Sequence, residues 1–155
     1  MIWEQQTFLI IGFGAILLAG LAALSIIDLK TFRLPNPLTY GLICLGLVQA
    51  YILQDSLKPY LIGAAAGYFV FVAIEYGFRI LRGIDGLGRG DAKLLAAGGA
   101  WCGWSFLPYI VLIGSLLGIL AALLPIFRTH EKGWVPFGPF LSFGIFTVWT
   151  AQWLI

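Results

Sequence analysis

A chain of 155 residues that is 61% hydrophobic and only 10% charged, with formal net charge +2 and mean hydropathy +0.97, has the composition of an integral membrane protein. That composition excludes an ordinary soluble enzyme, and the scatter of so few charges, with no basic block, argues against a nucleic-acid partner. The loops are too brief for a soluble domain, so one transmembrane domain is expected over 1–155.

The apolar stretches predict an all-α, polytopic protein of about six transmembrane helices, near 7–27, 37–53, 60–81, 92–104, 106–127 and 137–155. The second and fourth are short for a span of about 20 residues. The first carries Glu4 and no Lys or Arg before Lys30, so it lacks the basic start of a secretory signal and is expected to be retained.

The first helix runs into Asp28-Leu-Lys-Thr-Phe-Arg33-Leu-Pro35-Asn36-Pro37. Pro35 ends whatever precedes it, Asn36 suits an N-cap and Pro37 the first helical position, so the loop is pinned at both ends. Asp28 is thereby held at the membrane boundary. It serves either as a balance for Lys30 and Arg33 or as a functional acid.

In the third segment Gly63 and Gly67 have the spacing that brings helix backbones together, as do Gly114 and Gly118 in the fifth. Glu75 is followed at i+4 by Arg79, an orientation that favours an intrahelical pair. The next loop holds Gly86-Leu-Gly88-Arg89-Gly90-Asp91-Ala-Lys93. Asp91 there is either a plain helix cap or a chemical group. Glycines at this spacing permit a bend and let another backbone approach the acid. Asp85 either binds substrate or balances Arg82 and Arg89. Lys93 is expected to lower the pKa of Asp91 or to meet a lipid headgroup.

Gly103-Trp104-Ser105 leaves open whether 92–127 is one long helix or two joined by a tight turn, and charge arbitrates. With six spans and both termini on the non-cytoplasmic side, Lys30, Arg33, Arg79, Arg82, Arg89, Lys93, Arg128 and Lys132 are cytoplasmic and Lys58 alone is outside. Fusing the two segments moves Arg128 and Lys132 outward, a poorer fit to the positive-inside rule. In this topology Trp3, Tyr51, Tyr60, Trp101, Trp104, Trp149 and Trp153 are expected to form an outer aromatic belt.

Cys44 and Cys102 fall in different helices and read as small packing residues. With a single histidine, His130, in a solvated loop with Glu131 and Lys132, neither a zinc cluster nor a nucleophile–histidine pair is expected, and no cofactor is called for. The topology places Asp28 and Asp91 at similar depth on the cytoplasmic side. Two carboxylates a few ångströms apart do not both ionise readily, so they share a proton, one activating water and the other polarising a carbonyl. A proton-coupled carrier is the main rival, although carrier sites usually lie near the midplane, where only Glu75 is even moderately deep.

At these residues the chain resembles the type IV prepilin peptidases, a family of GxGD-type membrane aspartic proteases. The resemblance runs from Asp28 to Asn36, through Gly88-Arg-Gly90-Asp91-Ala-Lys93 and Gly99-Ala-Trp-Cys-Gly103, to Pro136-Phe-Gly138-Pro-Phe-Leu141. It implies that Asp28 and Asp91 are the catalytic pair. It implies a substrate that is a prepilin or type II secretion pseudopilin, cut after the Gly that ends a short basic leader, at the cytoplasmic face of the bacterial inner membrane. Many members carry a zinc-binding insert with paired C-x-x-C motifs, associated with N-methylation. Nothing here resembles it, so a peptidase-only short form without bound metal is expected. The same resemblance makes Pro136 to Pro139 a bent entry to the last helix near the site, with Gly138 in a supporting role. A catalytically silent pilus or secretion assembly factor of the same fold is the remaining alternative. A basic leader meeting a net cationic rim suggests a part for anionic lipids or for acids such as Asp85.

Overall fold

The computed structural model describes residues 2–82, 88–123 and 136–154. Among these, the regular structure is helical and contains no strand: α1 (Ile2–Thr31), α2 (Asn36–Leu53), α3 (Lys58–Arg82), α4 (Arg89–Cys102), α5 (Leu107–Leu123) and α6 (Gly138–Leu154). Four stretches, Glu4–Thr31, Asn36–Leu53, Lys58–Leu81 and Trp104–Leu123, are long and apolar enough to cross a bilayer. The second helix, expected to be short, therefore reaches spanning length.

The question at Gly103 is settled by backbone geometry. Gly103 adopts φ +86°, a conformation that side-chain-bearing residues rarely take, and it donates its N–H to the Gly99 carbonyl at 2.9 Å. One 3₁₀ turn, Trp104–Phe106, then leads into α5. The stretch is two helices.

α4 has 14 residues, about 21 Å of helix, too short to span on its own. It is instead the centre of the bundle, in contact with α2, α3, α5 and α6, while α1 packs on α2 and α6. Every residue from Leu94 to Gly103 is buried. Small residues make that position possible. Gly63 and Gly67 of α3 lie against the backbone of α4, where a Cβ at Gly67 would meet the Leu95 carbonyl oxygen at 2.6 Å and one at Gly99 would run into Gly63. On the other side, a Cβ at Gly144 of α6 would come within 2.7 Å of the Ile110 carbonyl of α5. Backbones in lipid gain by such close van der Waals contact.

The aromatic belt needs correction. Trp101 and Trp149 are core residues, 1% and 4% exposed, with rings edge-on at a centroid distance of 6.1 Å. Each buries an indole N–H and satisfies it internally: Trp101 donates to the Leu42 carbonyl at 2.8 Å and Trp149 to the Gln49 side-chain oxygen at 3.2 Å. Tyr51 and Trp104 are exposed, whereas Tyr60 and Trp153 are half-buried. The side chain of Trp3 lies outside the described residues. Of the cysteines, Cys102 is a packing residue as expected, but Cys44 is exposed on the outside of the bundle.

Candidate active site

Asp28 occupies the last turn of α1 and is 6% exposed, a costly position for a carboxylate beside an apolar segment. The chain turns sharply just beyond it. Phe32 has φ +52°, an uncommon conformation for a bulky residue, and its N–H donates to the Asp28 carbonyl at 2.8 Å. Thr31 Oγ1 donates to the Ile27 carbonyl and lies 3.2 Å from that of Arg33. The turn returns Leu34 to the interior, against Gly90 of α4, where a Cβ would lie 3.1 Å from that of Leu34. Gly90 thus serves by its small size within the helix. Gly88, at φ −74°, adopts ordinary extended backbone and is the N-cap of α4, so neither residue supplies an irregular bend.

Asp91 is the third residue of α4, and its N–H donates to the Gly88 carbonyl at 3.0 Å. It is therefore not the capping residue. Burial, and next the charge of Asp28, push its carboxyl up to about 7. Asp28 and Asp91 line one cavity of about 310 Å³, together with Phe32, Arg33, Leu34, Asn36, Gly88, Arg89, Gly90 and Lys93. From the far end of the sequence, Gly138 reaches the same place: its N–H, at the start of α6, donates to Asp28 Oδ2 at 3.1 Å. Pro136 and Phe137 precede the helix and form its non-helical entry, while Gly138 and Pro139 already belong to its first turn.

Two expectations change. Asn36 is the first residue of α2 and not its cap; Pro35, with φ −67° and ψ 130°, takes the cap position and supplies no side-chain bond. The physical reason is competition, because Asn36 Oδ1 accepts a 2.6 Å bond from Lys93 Nζ. Lys93 correspondingly turns its ammonium to α2, where it also lies 5.5 Å from the centre of the Tyr40 ring. Tyr40 was missed in the sequence, although it stands one helical turn after Asn36 and so on the same face.

Glu75 of α3 lies 3.9 Å from Arg89 Nε, so its charge is shared with α4 as well as standing one turn from Arg79; both arginines line a groove of about 250 Å³ beside it. Asp85, Gly86, Arg128, His130, Glu131 and Lys132 lie outside the described residues. The described residues contain no group of three or more His, Cys, Asp or Glu able to hold a metal ion.

The fold and site define a helical membrane protein with a paired-carboxylate cavity at the helix ends. More narrowly, the chain belongs to the type IV leader peptidase family, whose model matches residues 15–123, a stretch that includes both acids. It is 45% identical over 131 residues to a protein of Burkholderia pseudomallei (strain K96243), covering 83% of this chain and 42% of the relative. It is 41% identical over 148 residues to one of Dickeya chrysanthemi (92% and 50%) and 42% over 134 residues to one of Pseudomonas aeruginosa (83% and 46%). All three bear the name prepilin leader peptidase/N-methyltransferase. The chain spans about half the length of these curated relatives. No solved structure matches.

Proposed function

We propose that the protein is a membrane aspartic endopeptidase that removes the leader from prepilins or pseudopilins, with Asp28 and Asp91 as its catalytic pair. The observation that carries this reading is the sharing of one open cavity by the two acids, close enough for the charge of Asp28 to raise the pKa of Asp91. In the mechanism, Asp91 holds the shared proton near neutral pH and polarises the scissile carbonyl. Asp28, its Oδ2 oriented by the Gly138 N–H, takes a proton from the attacking water. The roles exchange as the tetrahedral intermediate collapses and the leaving amine is protonated.

The cavity opens where α1 ends and α4 begins, so the scissile bond lies at the membrane boundary of an anchored substrate. The positive-inside count favours the cytoplasmic face of the bacterial inner membrane for that boundary. Only peptide cleavage is extended to this chain from its relatives' name. Methylated product made by the purified protein with S-adenosylmethionine would contradict the peptidase-only form.

A size-shift immunoblot of a tagged prepilin co-expressed with the chain tests the proposal, beside Asp28→Asn and Asp91→Asn variants verified as membrane-inserted. Cleavage by the wild type alone is expected. Equal processing in all three lanes would overturn the mechanism.

A further inference from the structure

The bond between Lys93 and Asn36 ties together the two segments that carry the acids. Asp28 is followed by the turn at Phe32, by Leu34 seated on Gly90, and then by Asn36, while Asp91 and Lys93 are two positions apart on α4. The 2.6 Å contact from Lys93 Nζ to Asn36 Oδ1 therefore links the segment that follows Asp28 to the helix that carries Asp91. Its length is that of a strong charge-assisted hydrogen bond, and the face of Tyr40 gives the ammonium a second partner on α2. Lys93 lines the same cavity as Asp91, but its ammonium is taken by Asn36 and Tyr40 of α2.

We propose that Lys93 and Asn36 are positioning residues, and that the bond between them sets the separation of Asp28 and Asp91. Lys93 acts through its hold on α2 and not through its charge on Asp91. The consequence for cleavage rests on the peptidase reading above; the effect on the acid pair does not.

The two modes of action differ in sign. Removing a cation that acts by charge raises the pKa of a nearby carboxyl. Loosening a pair of buried like charges lowers it, because repulsion falls and water enters. Among the described residues the charged groups lining the cavity with Asp91 are Asp28 of α1, Arg33 of the connecting loop, and Arg89 and Lys93 of α4, with Glu75 of α3 beside Arg89. α2 contributes the uncharged Asn36, and α6 the Gly138 N–H bound to Asp28.

The test is a carboxyl-carbon NMR titration of the full chain in detergent micelles, with the Asp91 signal identified by its loss in Asp91→Asn. Asn36→Leu, Lys93→Met and the double variant are each expected to lower the Asp91 midpoint by the same amount. Asn36→Asp, which keeps the acceptor oxygen, is expected not to lower it. A raised midpoint in Lys93→Met, an unchanged one in Asn36→Leu, or a double variant that sums the two single shifts would overturn the proposal. If Asn36→Leu does not insert, the sign of the Lys93→Met shift decides.

In the prepilin assay the same variants are expected to lose about 10- to 100-fold in kcat with KM unchanged, and Asn36→Asp to recover most of the rate. A wild type that leaves prepilin uncut refutes the peptidase reading, while the titration still decides the clamp.

Discussion

The Gly138 N–H donates to Asp28 Oδ2 at 3.1 Å, and the missing side chain at 138 is what permits the approach, since a Cβ there would lie 2.5 Å from that oxygen. Residues 110 positions apart thus meet at the acid pair. Gly138→Ala is expected to displace the Asp28 carboxylate and lower prepilin processing by about 100-fold, with insertion into the membrane retained. Quantitative size-shift blots at matched expression check this, and full processing by Gly138→Ala would remove the glycine from the site.

Activity is expected to fall as pH rises through about 7, the point to which Asp91 is pushed by burial and by Asp28. Above it Asp91 is ionised, and it no longer carries a proton to polarise the substrate carbonyl. Asp28→Asn removes the charge contribution but leaves burial, so the Asp91 midpoint is expected to drop and still stay above the usual carboxylate range. A pH–rate profile checks the first expectation and carboxyl-carbon NMR of Asp91 the second, and an unchanged midpoint in Asp28→Asn would mean that the acids do not interact.

The contact of Gly99 with Gly63 leaves no room for a side chain, because the obstruction is helix backbone. Gly99→Val is expected to destabilise the fold by at least about 2 kcal/mol, since α3 and α4 have to separate. Thermal unfolding in detergent, followed by loss of monodisperse protein, measures the effect. Gly77→Ala, where a Cβ meets nothing within 4 Å, is the matched control and is expected to be neutral.

Trp101 joins packing and hydrogen bonding at the bundle centre. Its ring edge lies 2.6 Å from where a Cβ at Gly46 would stand, and its N–H reaches the Leu42 carbonyl. Trp101→Phe keeps most of the apolar surface but loses the bond, with an expected cost of about 1–2 kcal/mol. Because Trp101 stands near the opposite end of α4 from Asp91, the cleavage rate of the folded fraction is expected to be unchanged, as a per-molecule activity assay reports.

Much of the helix layout was legible from hydropathy. The stretch expected at 37–53 is Asn36–Leu53, and the two segments suspected around Gly103 are two helices. Glycine spacing in the third segment likewise matched backbone contacts between α3 and α4, whereas in the fifth Gly114 meets the Leu141 backbone of α6 and Gly118 only the Phe137 and Phe140 side chains. Local rules did worse with side chains. Asn36 has the chemistry of a cap, but an ammonium from α4 claimed its oxygen. Trp101 and Trp149 have the composition of a membrane-interface belt, but internal acceptors drew them inward.

The sequence alone determined the membrane class, the order of the apolar segments and the prominence of Asp28 and Asp91, because a charge beside lipid is costly enough to stand out in any chain. Tertiary structure decided which faces of the helices meet. These helices are apolar nearly all round, so the 3.6-residue period that separates core from solvent in a soluble protein separates little here. The links that shape the site join Asn36 to Lys93, 57 positions on, and Asp28 to Gly138, 110 positions on. Both depend on the rotation of each helix about its axis, which close packing of small residues sets and hydropathy does not record.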